Sequence, residues 1–168
     1  MPNAVVAAAF LAAILGAAEE PAQIEEESSE SKFVRLTRQL EADPFSDSDK
    51  AIRTWLIDWA SESSSVTVTI CDVLGPVPGE EVPFGSTLLT QMIFGNAAFQ
   101  IENPTLKADT IAVQAAGVRS SLNAYRSILS THPEASIDYF DTLVKQQDAK
   151  TLDSYLKPII EKGCEAGE

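Results

Sequence analysis

The chain has 168 residues, of which 25 are acidic and 12 are basic, and its formal net charge at pH 7 is −13. This balance argues against nucleic-acid binding, because phosphate backbones are bound by clustered Lys and Arg, and here the basic residues are dispersed. The same charge disfavours docking on an anionic membrane surface. With 45% hydrophobic residues the chain is too apolar to be disordered throughout, and its length suits one domain with one core.

The N-terminus carries an unbroken run of small apolar residues from Ala4 to Ala18, with no Lys or Arg before it. As a helix the run reaches only about 22 Å, which is short of a hydrocarbon core about 30 Å thick. It closes on Gly16-Ala17-Ala18, small residues of the kind that a signal peptidase accepts. We therefore predict a signal peptide over residues 1–18, no stable membrane anchor after its cleavage, and a periplasmic or extracellular location. The alternative is an Ala-rich helix that belongs to the fold.

The following segment, residues 19–31, contains six Glu, three Ser and no basic residue. Such a segment cannot bury enough apolar surface to offset the entropy of ordering it, so we expect a disordered acidic linker. The globular domain is then predicted to span residues 32–168.

Beyond the linker, apolar residues recur with the 3.6-residue period of amphipathic helices over most of the chain. This pattern predicts an all-α, compact single-domain bundle of about five to seven helices. The last helix is expected to bend or break near Pro158. The predicted helices span residues 32–42, a second helix capped by Ser46 or Asp47, residues 86–102 capped by Ser86, residues 106–130, residues 136–147 opened by Ser136, and residues 151–162.

Residues 66–70 are ambiguous. Their sequence, Val-Thr-Val-Thr-Ile, alternates as a half-buried strand does, and every residue in it is β-branched. A strand needs a partner, and no second run of this kind is evident. We therefore expect a short buried helix or an extended segment, with tertiary packing overriding β propensity.

Small side chains recur at four-residue intervals along the helix predicted at residues 106–130, and the preceding helix offers a smooth patch at residues 95–98. This series is Ala108, Ala112, Ala116, Ser120 and Ala124. A ridge of small residues lets a second helix approach closely, so these two helices are expected to form the centre of the bundle. The alternative is that alanine is present as a favourable helix former.

Two groups of side chains are candidate binding residues. Trp55 and Trp59 share the apolar face of the second helix, where they anchor the core or, alternatively, present an aromatic site for a sugar or a partner protein. Five amides on otherwise apolar helices line a small ligand pocket or, as we favour, satisfy one another between helices. These amides are Gln91, Asn96, Gln100, Gln114 and Asn123.

Cys71 and Cys164 are the only cysteines. In an exported protein an even pair favours a disulfide, which would pin the C-terminal helix to the middle of the fold. Two unpaired cysteines are an almost equal alternative. A zinc site or redox motif is not expected, because there is no Cys-x-x-Cys and a single histidine cannot build an ordinary metal site.

The sequence carries no recognisable catalytic motif. A serine triad or a Cys-His pair would have to use His132, which precedes a proline at a predicted helix end. Two carboxylates among Asp58, Asp72, Glu102 and Asp109 could form a hydrolase pair, but 25 acidic residues make that signal weak. Glu80 and Glu81, in the Pro- and Gly-rich stretch at residues 75–85, belong to a structural crossover or to a site for a cation or a basic partner.

These observations predict an exported, non-enzymatic bacterial protein that needs no cofactor and no metal, and acts through a helical surface or groove. The partner is a protein or a small ligand of unknown identity. The alternatives are a carboxylate-dependent hydrolase and a structural protein that self-associates.

Overall fold

The computed structural model describes residues 26–77, 79 and 81–165, so the predicted signal peptide and the first part of the acidic linker lie outside the described residues. Within these ranges the chain forms helices and no β-strand, which confirms the predicted all-α bundle. No helix of the described ranges is long and apolar enough to cross a membrane. The six helices are α1 (Ser29–Ala42), α2 (Asp49–Glu62), α3 (Gly85–Glu102), α4 (Thr110–Thr131), α5 (Asp138–Asp148) and α6 (Leu152–Glu165), with a short 3-10 turn at Pro133–Ala135.

Helix α1 begins three residues before the predicted boundary of the globular domain. The Ser28 hydroxyl caps it by accepting a hydrogen bond from the N–H of Ser31 at 3.1 Å. Arg35 reaches back to form an ion pair with Glu27, with 2.7 Å between nitrogen and oxygen. Because the cap satisfies an N–H group of the first turn, residues 29–31 are helical, and their assignment to a disordered linker is wrong.

The start of α4 also differs from the prediction. Residues 104–108 form turns, and the Asp109 side chain accepts a hydrogen bond from the N–H of Ala112 at 3.0 Å. This cap fixes the first helical residue at Thr110, four residues after the predicted start. The N-cap residues of three further helices were also mispredicted: they are Ser48 for α2, Phe84 for α3 and Ile137 for α5.

Helix α6 runs through Pro158 without the predicted interruption. A proline removes one N–H and leaves the carbonyl four residues earlier without its helical partner. Both Pro158 and Ser154 are exposed, so water can satisfy that carbonyl. Burial of Leu156 and Ile160 on the opposite side holds the helix against the core.

The core has two parts that share helix α3. The larger cluster is formed by α3 to α6 together with residues 71–77, and the smaller one by α1, α2, Val66 and one side of α3. Because α3 contributes to both clusters, most of its circumference is buried, as its nearly continuous apolar sequence predicts. Its residues Leu88 and Met92 belong to the larger cluster, and Phe94, Ala97 and Ala98 to the smaller.

Helices α3 and α4 pack closely through small residues. A Cβ atom placed on Gly95 would lie 2.3 Å from the Ser120 Cβ, and one placed on Gly117 would lie 1.9 Å from the Asn96 Oδ1. The predicted close approach is therefore present, but the ridge differs from the predicted series. Ser120 and Ala124 are buried, Ala112 and Ala116 are only partly buried, and Ala108 lies in the exposed turn before α4.

Helices α4 and α5 are joined by a hydrogen-bonded group around Asp141. Its carboxylate accepts hydrogen bonds from the Ser136 hydroxyl and the Tyr125 hydroxyl, both at 2.7 Å. The Tyr125 oxygen in turn accepts from the N–H of Ile137 at 2.8 Å. The Ser136 and Tyr125 hydrogen bonds lower the pKa of Asp141, and burial raises the pKa of Tyr125.

The lowered pKa of Asp141 predicts a pH-dependent contribution to stability. A carboxyl whose folded-state pKa is below its unfolded value of about 3.9 stabilises the fold above that pH, and the contribution is lost as the pH falls through the folded-state pKa. We therefore expect Asp141→Asn to destabilise the protein at pH 7, and the difference from wild type to shrink as the pH is lowered below about 4.

Urea denaturation at several pH values measures this difference. Asp138→Asn is the matched control, because Asp138 lies in the same first helical turn but is exposed. Equal pH profiles for the two variants would show that the hydrogen bonds to Asp141 carry no such contribution.

Candidate functional site

An extended segment, residues 66–70, runs across the bundle between α2 and the loop that leads to α3. Two side-chain amides hold one edge of it. The N–H of Thr67 donates to the Gln100 Oε1 at 2.9 Å, and the Gln100 Nε2 donates back to the Thr67 carbonyl at 2.9 Å. The Gln114 Nε2 donates to the Thr69 carbonyl at 2.8 Å. Amides of α3 and α4 therefore take the place of a neighbouring strand, and of the two predicted alternatives the extended one is present.

The opposite edge of this segment is free. In an extended chain the main-chain groups of successive residues point to opposite edges, so those of Val66, Val68 and Ile70 point away from the two glutamines. No hydrogen bond among the described residues involves the N–H or C=O of these three residues. The molecule thus presents an unpaired strand edge although it contains no sheet in the described ranges.

A groove of 640 Å³ lies beside residues 66–68, between α2 and α3. Residues on α2 and on the extended segment form its walls, and the outer face of α3 contributes the rest of its lining. The lining residues are Ile57, Ala60, Ser61, Ser63, Val66, Thr67, Val68, Thr90, Ile93 and Phe94. Four of them carry a hydroxyl group and none is charged, so the groove favours an apolar occupant with a few polar contacts.

The free edge and the groove belong to a larger apolar strip. Ile57, Val68 and Ile70 are 52%, 42% and 56% exposed, and they are three of the five large hydrophobic side chains that are exposed in the described residues. Ile70 and Leu89 line a second cavity of 310 Å³. Leu89 is one helical turn before the groove residue Ile93, so the two cavities follow each other along α3.

Exposed acidic residues lie beside this strip, and no Lys or Arg occurs in residues 54–106, which include all of its lining. Asp58 and Glu62 are exposed on α2 next to the groove residues Ile57 and Ser61. The C-terminus of α2 adds the negative end of its macrodipole, and no basic residue lies in its last turn.

The five candidate amides do not pair with one another through their side chains. Gln100 and Gln114 hold the extended segment and line a separate cavity of 300 Å³ beside its other edge. Gln91 is fully buried and donates to the Ser120 hydroxyl at 2.9 Å and to the Thr37 carbonyl at 3.2 Å. Asn96 is buried against Gly117. The expected mutual satisfaction is wrong: Gln91, Gln100 and Gln114 bond to main-chain or hydroxyl groups, and the Asn96 side chain makes no hydrogen bond among the described residues.

Asn123 belongs to a buried polar cluster centred on Glu41, a residue that the sequence analysis missed. The Glu41 carboxylate accepts from Ser120 at 2.6 Å, from Asn123 at 3.0 Å and from Arg38 at 2.6 Å. A signal for this position is present in the sequence, since Glu41 follows Phe33 by eight residues and therefore lies on the buried face of α1. The carboxylate is buried while its partner Arg38 reaches the surface, and the cluster is a structural element that joins α1 to α4.

Trp55 and Trp59 lie away from the groove, on the face of α2 that packs on α1. The Trp59 ring centroid is 4.8 Å from that of Phe33, and the two indole rings stack at 6.4 Å. The Lys32 ammonium lies 4.2 Å from the centroid of Trp55. These contacts match the predicted role of the pair as core anchors.

Cys71 and Cys164 are brought together at disulfide distance, with their Cα atoms 4.6 Å apart. The N–H of Asp72 donates to the Gly163 carbonyl at 3.2 Å beside them. The C-terminal helix is thus attached to the end of the extended segment, as the paired alternative predicts.

The candidate catalytic side chains are spread over the fold. Glu102 pairs with Arg38 at 2.9 Å, Asp109 caps α4 and Asp58 is exposed on α2. Of the four predicted carboxylates, only Asp72 lines any of the three cavities described above. His132 ends α4 and packs between Phe45 and Phe84. Glu80 lies outside the described residues, and the described part contains no cluster of His, Cys, Asp and Glu arranged to hold a metal.

Removal of the Gln100 amide is expected to loosen the extended segment. Gln100→Ala deletes two hydrogen bonds to Thr67 and leaves its main chain without a partner on that edge, which we expect to cost about 1–3 kcal/mol. Hydrogen exchange of the Thr67 main-chain amide should become faster, because its N–H loses its acceptor. Gln39→Ala, at an exposed position of α1, is the control and should change stability by less than about 0.5 kcal/mol. An unchanged exchange rate at Thr67 would contradict the role given to Gln100.

Comparison of the chain with family models, with characterised proteins and with solved structures finds no match. The class of protein is therefore defined by the fold and the site alone. It is an acidic six-helix bundle with a cysteine pair at disulfide distance and an unpaired strand edge beside an apolar groove.

Proposed function

We propose that this protein is an exported, non-enzymatic binding module that holds a partner protein in the groove between α2, α3 and the extended segment. The observation that carries the proposal is the coincidence of a 640 Å³ groove, an unpaired main-chain edge and exposed Ile57 and Val68 on one surface. Exposed apolar surface of this kind, rimmed by polar residues, is characteristic of protein–protein interaction sites.

Two features support export. The N-terminal run ending at Ala18 has the length and the small closing residues of a signal peptide. Cys71 and Cys164 lie at disulfide distance, and disulfides form and persist in oxidising compartments outside the cytosol. Mass spectrometry of the protein from fractionated cells tests the proposal: the expected chain begins at Glu19 in the exported fraction. Recovery of intact Met1 from the cytosol would refute export.

The binding role is tested with a photo-crosslinking amino acid placed at Val68 in the cells that produce the protein. Val68 is exposed beside the groove, so its crosslinker should form adducts with another polypeptide. The matched control places the same amino acid at Lys145, which is exposed on α5 and outside the strip. Adducts at Val68 but not at Lys145 are expected, and equal or absent adducts at both positions would refute the role of the groove.

A further inference from the structure

We propose, building on this function, that the groove binds an extended apolar segment of a partner protein flanked by Lys or Arg, and that this segment pairs as a β-strand with the free edge of Val66 and Val68. The molecule would thereby gain a two-stranded ribbon laid across its helices. Recognition would combine main-chain hydrogen bonds with apolar side chains that enter the groove.

The first argument comes from the main chain. Gln100 and Gln114 hold Thr67 and Thr69 so that the residues between and beside them direct their N–H and C=O groups to the edge opposite the two glutamines. A bound strand would satisfy these groups. A bound helix has no free main-chain groups along its length. It would cover the edge and leave the N–H and C=O groups of Val66 and Val68 without partners, which costs free energy.

The second argument comes from the position of the groove relative to this edge. Val66, Thr67 and Val68 line the 640 Å³ groove, whereas Thr67 and Thr69 line the cavity on the glutamine side. Val66 and Val68, the residues of the free edge, thus lie at the groove, which is also lined by Ile93 and Phe94 of α3. A strand paired at this edge would direct alternate side chains toward that apolar surface.

The third argument is charge. No Lys or Arg occurs in residues 54–106, and Asp58 and Glu62 stand exposed at the α2 end of the groove. A partner strand with basic residues at its ends would place positive charge near these two carboxylates. A second copy of this chain would instead bring the same acidic residues against each other, which disfavours pairing of two copies through this edge.

The test uses the mature chain with its cysteine pair oxidised and a short, fluorescently labelled, end-capped peptide of sequence KKVTVTVKK. Fluorescence anisotropy should detect saturable binding. The same peptide N-methylated at each of its five central residues has no central N–H to donate from either edge and should bind about tenfold more weakly or worse, as should the peptide EEVTVTVEE.

Variants of the protein provide the reciprocal test. Val68→Pro removes the N–H that faces the groove and should weaken binding of KKVTVTVKK by about fivefold or more, whereas Val68→Thr keeps that N–H and a β-branched shape and should stay within about threefold of wild type. Circular dichroism and denaturation confirm that both variants are folded.

Several outcomes would overturn the inference. They are equal binding of the N-methylated peptide, equal or tighter binding of EEVTVTVEE, and no measurable binding of KKVTVTVKK at millimolar concentration. Dimers detected by light scattering that dissociate in Val68→Pro would make a second copy the occupant and would also refute it. In each case crosslinks to another polypeptide at Val68 would still support the broader binding function, so the two failures are distinguishable.

Discussion

Replacement of Cys71 and Cys164 together by alanine is expected to lower the free energy of unfolding by about 4 kcal/mol. The two residues are 93 positions apart, and cross-linking a loop of this length removes about that much conformational free energy from the unfolded chain. In the folded state the neighbouring main chains of Asp72 and Gly163 remain in hydrogen-bonding contact. The variant should therefore keep the fold while losing stability.

Urea denaturation of wild type and of the double variant without reductant measures this loss. Wild type assayed with reductant should behave as the double variant does, and wild type denatured without reductant should contain no free thiol. A difference below about 1 kcal/mol, or two reactive thiols in each wild-type chain, would contradict the prediction.

Substitution of Gly117 by alanine is expected to destabilise the centre of the bundle by about 2–3 kcal/mol. The new Cβ would lie 1.9 Å from the Asn96 Oδ1 and 2.7 Å from the Met92 carbonyl oxygen. The first of these atoms belongs to a side chain that is 1% exposed, and the second to the main chain of α3, so neither can yield freely. Overpacking of this kind outweighs the gain of up to about 1 kcal/mol that alanine brings to a helix interior.

Gly85→Ala is the matched control for this experiment. Gly85 is also buried, but the nearest atom to its added Cβ is the Val82 Cβ at 3.5 Å, an ordinary contact. We expect its stability to remain within about 0.5 kcal/mol of wild type. In a further variant, Asn96→Ser should recover part of the stability lost in Gly117→Ala, because it removes the closest atom. Equal stability of Gly117→Ala and Gly85→Ala would disprove the close helix approach.

The helices were predictable because their periodicity and breakers are local. The predicted α3 ends at Glu102, as the structure has it, since Asn103-Pro104 cannot continue a helix. The starts were less accurate, because several serines and aspartates compete as caps and the choice depends on the packing of the whole element. Thus Asp109, and no earlier residue, caps α4.

The candidate site was less predictable because its essential contacts are far apart in the sequence. Residues 66–70 have the alternation of a strand, but their partners are single amides at Gln100 and Gln114, which no strand pattern reveals. Two of the five amides singled out as binding candidates hold the edge of this segment opposite the free one. Glu41 was missed because a charged side chain in a last helical turn is usually exposed.

The cysteine pair divides the chain topologically. A bond between Cys71 and Cys164 closes a covalent loop that contains the four helices α3 to α6, and every residue of the larger core cluster lies within this loop. Helices α1 and α2 lie outside this loop and are held to it by the smaller cluster and by the hydrogen bonds of Glu41 to α4. The groove lies between the two parts, with Ile57 on α2 outside the loop and Ile93 on α3 inside it. A molecule bound in the groove would contact both parts and would therefore stabilise the packing of α1 and α2 on the disulfide-closed loop.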